Sequence, residues 1–397
     1  MLDAKHGEYD GKKGKKLAVN VILFTNFIPP YRVPLFKALE KRLGRLSIFI
    51  FTPMEPNRSW PVQWERLEVK VQRSFTFRSI WRHESGFREP FSVYVPYDTF
   101  WLLWRRRPKL VIFGDFGARG LQATVYRLLN PDSRLIMWAM LSEHTERGRG
   151  RVREMLRRWI FQRVDAAIVK GESGARYVRR FGVREESIFL APDTIDVASF
   201  ATERTVDTPG TNHRLLYVGQ LIERKGLQPV LSTLSEWAER NPDHTLELWF
   251  AGEGPLRQVL ESSSLPPNLS LRFLGPVPYV ELPQVYADAT MLVFPTLADE
   301  WGLVVNEAMA CGLPVLGSIY SQAVEELVED GTNGWVFRPD SREATFNALD
   351  RALRTPPEVL QSMGESARDE VSKLAPDVVA QRVVAACHYA LRHPFDA

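Results

Sequence analysis

The 397 residues are 45% hydrophobic and 25% charged, an ordinary globular composition in a chain too long for one typical core. Two cysteines, Cys311 and Cys387, exclude a disulfide framework or a zinc cluster, and no window reaches the ~20 apolar residues of a spanning helix. The net charge of +3 hides an asymmetry: residues 1–198 hold 36 Lys and Arg against 21 Asp and Glu, and residues 199–397 hold 15 against 27.

A basic half and an acidic half predict two domains with different partners, the basic one drawn to an anionic surface or substrate. Met1 to Lys16 is polar and lysine-rich, without the apolar stretch of a secretory signal, so a cytoplasmic location is expected. The first half then alternates strand-like and helix-like runs. Leu17 to Phe24 predicts a strand, Val33 to Arg42 a helix and Leu46 to Phe51 a second strand. Pro53 to Arg88 has no clear period and is expected to be a long, acceptor-facing loop region. Short apolar runs follow at Leu110 to Phe113, Leu135 to Trp138, Ala166 to Val169 and Ser187 to Leu190. Arg151 to Arg163 has the spacing of an amphipathic helix.

Asp196 to Asn212 is polar and holds Pro and Gly, which predicts the interdomain linker. The alternation then repeats: strands at Arg214 to Val218, Thr245 to Ala251, Leu271 to Leu274 and Met291 to Phe294, with helices at Leu227 to Arg240 and from Pro255. Two successive βα-wound halves predict an α/β fold of two Rossmann-like domains with parallel sheets facing a central cleft, ligands lying at the carboxyl ends of strands.

Three strand–loop–helix junctions carry chemistry. Val218-Gly219-Gln220 to Lys225-Gly226 places a lysine beside glycines, where it can reach a diphosphate as a point charge; an ordinary turn with a solvated lysine explains it equally. Gly252 and Gly254 in the next junction leave room for a ligand or merely for a tight turn. The stretch Asp299 to Ser318 holds Asp299 and Glu300 before Gly302, which opens a helix, and Glu307 inside it. Amides at such a helix start can meet phosphate, and carboxylates accept from sugar hydroxyls, which suits a nucleotide sugar.

These segments, in order VGQLIERKG at 218–226, AGEGP at 251–255, FLGPVP at 273–278 and the 299–318 stretch, resemble the donor domain of glycosyltransferase family 4, retaining enzymes of the GT-B fold. The resemblance implies an acceptor-binding domain over 1–198, a donor-binding domain over 199–375, and a last helix, about 376–397, packing back on the first. It implies that Glu307 accepts from ribose hydroxyls and Asp299 from hydroxyls of the donor sugar. Lys225 and Gln220 would meet the diphosphate beside Gly219 and the amides of Gly302, Leu303 and Val304, with Pro276 and Val277 flanking the base. The family's paired acids fall on Asp299 and Glu307, so the first acid is one methylene shorter than usual. Its arginine falls on Gln220; Arg224 is a substitute that a regular backbone would point elsewhere. No Asp-x-Asp triplet occurs, and no metal or other cofactor is expected.

In the first half, Glu143 and His144 are acceptor-side candidates, His144 also as a catalytic group, because they follow the apolar run Leu135 to Trp138. Tyr31 and Arg32 join them because Thr25 to Arg32 resembles the pattern of polysaccharide-assembling members of the family. Phe100 to Lys109 and Arg147 to Arg163 combine Trp and Leu with Arg clusters, which suits an anionic membrane surface as well as a solvated helix face. No nucleic-acid module is recognisable, so nucleic acid is not expected as a partner. The expected function is transfer of a hexosyl group from a UDP- or GDP-sugar to a glycan or lipid-linked acceptor in polysaccharide or glycolipid assembly. A sugar-nucleotide epimerase and a non-catalytic nucleotide- or glycan-binding protein remain the alternatives.

Overall fold

A computed structural model of the chain describes residues 16–55, 64, 66–148, 150–202 and 212–393. The lysine-rich start before Lys16, parts of the aperiodic stretch (56–63 and 65), Arg149, the middle of the expected linker (203–211) and residues 394–397 lie outside the described residues. The chain forms two compact units. One comprises 1–81, 90–194 and 376–397; the other comprises 82–89 and 195–375.

In the first unit the chain runs β1 (Leu17–Thr25), α1 (Val33–Arg42), β2 (Leu43–Ile50), β3 (Val69–Val71), β4 (Ser74–Arg82), β5 (Arg88–Pro96), α2 (Thr99–Arg106), β6 (Leu110–Phe113), α3 (Ala118–Leu129), β7 (Arg134–Ala139), α4 (Arg151–Phe161), β8 (Ala166–Val169), α5 (Glu172–Arg179) and β9 (Ile188–Leu190). Seven of these strands form one parallel sheet in the order β3-β2-β1-β6-β7-β8-β9. Its central strands read as unbroken apolar runs because both faces are covered. Alternate residues point to alternate faces: Val21 and Leu23 enter one core cluster, and Ile22 and Phe24 the other.

The stretch expected to be a long loop instead contains β3 and β4, the latter pairing with β5 at its end in a two-stranded sheet. The strand pattern was hidden because β4 buries neither face. Phe75 and Phe77 alternate with Thr76 and Arg78, and all four are exposed.

The second unit runs β10 (Asn212–Val218), α6 (Leu227–Arg240), β11 (Thr245–Ala251), α7 (Arg257–Glu261), β12 (Leu269–Gly275), α8 (Leu282–Ala287), β13 (Met291–Phe294), α9 (Leu303–Ala310), β14 (Val315–Ser318), α10 (Gln322–Leu327), β15 (Gly334–Phe337), α11 (Arg342–Leu353) and α12 (Pro357–Ser372). Its sheet is parallel, in the order β12-β11-β10-β13-β14-β15. The winding reverses between β10 and β13, so the loops leaving their carboxyl ends diverge at a topological switch point, the standard ligand position in open α/β sheets. The final helix, α13 (Pro376–Arg392), belongs to the first unit, where Val379, Val383, Ala386 and Ala390 are buried against α1 and the sheet. Among the described residues no helix is long and apolar enough to cross a membrane.

Candidate active site

Two turns beside the switch point are stitched together through backbone alone. Gly219 N–H donates to the Ala251 carbonyl at 3.0 Å, Leu221 N–H to Glu253 O at 2.9 Å and Leu256 N–H to Leu221 O at 3.0 Å. A Cβ on Gly252 would lie 1.9 Å from Gly219 O, and one on Gly254 2.4 Å from Leu221 O. Gly219 and Gly252, with φ of 139° and 152°, hold a conformation that other residues rarely adopt. The bare faces of Gly252 and Gly254 are therefore used by the neighbouring turn.

A third loop joins them. Leu297 N–H donates to Arg224 O at 2.8 Å, and a Cβ on Gly226 would fall 2.2 Å from Pro295 O. Glu223–Lys225 forms one 3-10 turn closed by Gly226 in the left-handed region. This tight turn, rather than a regular extended backbone, brings both Arg224 and Lys225 to Asp299. Lys225 Nζ donates to Asp299 Oδ2, and Arg224 Nη1 lies 3.5 Å from the same oxygen. Arg224 also donates from Nη1 to Ala298 O at 2.9 Å and from Nε to Glu89 Oε2 at 2.5 Å, Glu89 belonging to the same unit. The expectation that Arg224 points elsewhere is thus corrected. At Gln220, the position of the family's arginine, the main-chain carbonyl accepts from Tyr217 Oη at 2.7 Å.

Burial by itself would raise the Asp299 carboxyl, but Lys225 and Arg224 hold it well below the usual carboxylate range. Burial pulls the Lys225 ammonium down, and Asp299 opposes this. The outcome is a partly buried carboxylate bracketed by two cations. An anionic ligand entering here would find positive charge already fixed in place, and would compete with Asp299 for it.

Helix α9 starts at Leu303 with Gly302 as its N-cap, at φ 103° and with no side-chain cap. A Cβ there would meet the Phe294 ring at 2.6 Å and Ser321 Oγ at 2.9 Å, so glycine is required at this position on two counts. Leu303 and Val304 occupy the first turn. Glu307 is buried in the same helix and accepts from Tyr286 Oη, on α8, at 2.7 Å. Burial pushes its carboxyl up to about 7; the Tyr286 hydrogen bond offsets part of the rise. Nothing in the sequence paired Tyr286 with Glu307, since the contact joins two separate helices. Glu300 is exposed, its carbonyl accepting from Gln322 Nε2 at 2.6 Å. Pro276 and Val277 follow β12, and Val277 packs against the cluster that contains Tyr286 and Val305.

The acceptor-side candidates lie in the first unit. Tyr31 and Arg32 form a single 3-10 turn after β1. Arg32 is buried between the Phe36 and Trp138 rings, 5.4 Å from each centroid, with Nη2 3.8 Å from Asp193 Oδ1. Lys170, at the end of β8, pairs with Asp193 at 2.8 Å, so one carboxylate serves two buried cations. Neither Lys170 nor Asp193 was singled out from the sequence, although a lysine ending the apolar run Ala166 to Val169 was the available signal. Glu143 accepts from Arg176 Nε at 2.7 Å, and His144 is half-buried in the turn that follows β7.

The fold superposes on Anabaena Alr3699/HepE, solved in complex with UDP, with a TM-score of 0.69 and 15% identity over 93% of this chain and 99% of that one. It also superposes on a sucrose-phosphate synthase from Thermosynechococcus elongatus, with a TM-score of 0.64 and 18% identity over 93% and 98%. The fold class is therefore GT-B. Within the second unit, residues 212–355 match the family model of the group 1 glycosyl transferases. A D-inositol 3-phosphate glycosyltransferase of Corynebacterium aurimucosum is 28% identical over 207 residues, 47% of this chain and 49% of its own length. The Arabidopsis thaliana sulfoquinovosyl transferase SQD2 is 30% identical over 161 residues, 40% and 30%. The chain spans less than two thirds of the length of these curated relatives.

Proposed function

We propose that the protein is a retaining glycosyltransferase that moves a hexosyl group from a UDP- or GDP-sugar to a glycan or lipid-linked sugar acceptor. The observation that carries this reading is the group formed by Lys225, Arg224 and Asp299 at the switch point of a group 1 domain, ahead of the α9 start and Glu307. The donor diphosphate takes the charge of Lys225, with Arg224 in the part of the family's arginine, and the first amides of α9. The ribose hydroxyls donate to Glu307, and hydroxyls of the sugar donate to Asp299. The acceptor hydroxyl replaces the diphosphate at the anomeric carbon with retention. Charge growing on the departing diphosphate is met by these fixed donors, which need no reorganisation as it develops. No metal or other cofactor takes part in this reading. His144, Glu143, Tyr31 and Arg32 serve the acceptor side, at the cytoplasmic face of a membrane when the acceptor is lipid-linked.

UDP complexes of a protein with the same fold and the names of the curated relatives support a nucleotide-sugar donor. The test is a thermal-shift screen of UDP-, GDP- and ADP-sugars, followed by NMR of the product formed with the best donor. Stabilisation by one nucleotide series and an anomeric configuration matching the donor are expected. An inverted product, or conversion of the donor to its epimer without any acceptor, overturns the reading.

A further inference from the structure

The first unit displays an apolar surface that its own fold leaves uncovered. Helices α2, α3 and α4 lie side by side, α2 against α3 and α3 against α4, on one face of the seven-stranded sheet. Each buries one stripe in the same core cluster: Leu103 from α2, Ala123 and Tyr126 from α3, Ile160 and Phe161 from α4. Their opposite stripes therefore point outward on the same side. Those stripes are not polar. Trp101 and Trp104 stand out from α2, Leu128 and Leu129 from α3, and Val152 and Met155 from α4; Trp101, Leu129 and Met155 are 64%, 60% and 69% exposed. At one edge the surface continues onto β4, where exposed Phe75 meets exposed Tyr97 at 5.3 Å, next to the start of α2.

This surface is confined to one unit. Among the described residues, every large hydrophobic in the second unit that is exposed is a valine: Val259, Val280 and Val359. Among the same described residues, all exposed Trp, Tyr, Phe, Leu, Ile and Met belong to the first. Single exposed apolar residues are ordinary, but three neighbouring helices with outward Trp, Leu and Met are not.

The charge around the patch is one-sided too. Residues 99–109 carry Arg105, Arg106, Arg107 and Lys109 and no carboxylate, and residues 147–163 carry seven arginines against the single acid Glu154. Arg105 and Arg107 on one side, and Arg151, Arg153 and Arg158 on the other, are exposed beside the apolar stripes. Tryptophan and leucine rimmed by arginine are the composition of an interfacial surface: the rings and aliphatic chains enter the headgroup–acyl boundary, and the guanidinium groups meet lipid phosphates.

We propose that α2, α3 and α4 form a docking face that seats the first unit on an anionic phospholipid bilayer. The proposal extends the lipid-linked acceptor reading above without depending on the donor site, since lipid binding and sugar transfer are measured separately.

Flotation of the full-length protein with vesicles of phosphatidylcholine, with and without phosphatidylglycerol, tests it. Binding is expected only with phosphatidylglycerol, falling as salt rises, with a blue shift of tryptophan emission. The doubly substituted Trp101→Ala, Trp104→Ala protein should keep its far-UV circular dichroism, because both side chains are exposed, and lose lipid binding by about tenfold or more. Leu128→Ser with Leu129→Ser should weaken it independently, since α3 lies between the other two helices. Three results overturn the proposal: no vesicle binding, equal binding by the parent and both variants, or an oligomer of the parent in light scattering that both variants dissolve. The last would make this face an interface between copies of the chain.

Discussion

Glu307 combines two demands that oppose each other. Its carboxyl is buried and pushed up to about 7, yet the proposed role needs it ionised to accept from ribose hydroxyls. A folded-state pKa raised above the unfolded value contributes stability that is complete below about 4.5 and lost as pH rises through about 7, on the order of 3 kcal/mol in all. The melting temperature is therefore expected to fall between pH 5 and about 7.5 in the parent, and to fall less in Glu307→Gln, as differential scanning fluorimetry across pH would show. Nucleotide affinity should run the other way. Ligand hydroxyls favour the carboxylate, so UDP or GDP binding should strengthen through pH 7 in the parent. In Glu307→Gln it should be weaker by about 1.5–3 kcal/mol and lose that pH dependence, which isothermal titration would report. At Gly302 both φ and space demand glycine, so Gly302→Ala should cost about 2 kcal/mol or more in denaturant unfolding. This glycine, the paired acids and Lys225 were all legible as residues. The Tyr286 and Arg224 contacts were not, because each depends on where a second element or a tight turn places a side chain.

The unit of construction at the site is three loops locked by their main chains, not any one motif. The turn after β10 is bonded to those after β11 and β13, and glycines stand where the chains come closest. Gly252→Ala should push the first two turns apart, because its Cβ would fall 1.9 Å from Gly219 O. Nucleotide binding should be lost, with slowed-exchange amides around 219–226 becoming exchangeable; unchanged hydrogen exchange there would refute the interlock. Strands and helices with a buried face were readable from their periodicity, as in β10, β11, β13 and α6. The sheet of β4 and β5 was not, because β4 is exposed along most of its length and β5 is only half-buried, so no apolar period marks them.

For the whole molecule, two cores of comparable extent predict two unfolding events. A nucleotide sugar binding the second unit should raise one calorimetric transition, by about 2.7 kcal/mol at a hundredfold excess over its dissociation constant, and leave the other unmoved. Equal movement of both would mean that the donor contacts are not confined to residues 195–375. The last helix sharpens this expectation, since α13 follows α12 in sequence but is packed into the first unit's core. Removal of residues from Pro376 onward should therefore lower the transition that the donor does not shift, because it uncovers Val379, Val383, Ala386 and Ala390.

Order and chemical type were carried by the chain itself: two βα-wound halves, glycines at the junctions, a lysine and two acids in a fixed register, and a basic half ahead of an acidic one. Such features follow from local periodicity, backbone sterics and charge, all of which act between near neighbours. Packing decided the rest. It set Arg224 and Lys225 on one carboxylate and Tyr286 on Glu307, and it turned the outward stripes of three helices to one side. These arrangements join residues up to 75 positions apart, as Arg224 and Asp299 are, and no local rule specifies them. They arise when a sheet closes and each element must bury the face that its own sequence left apolar.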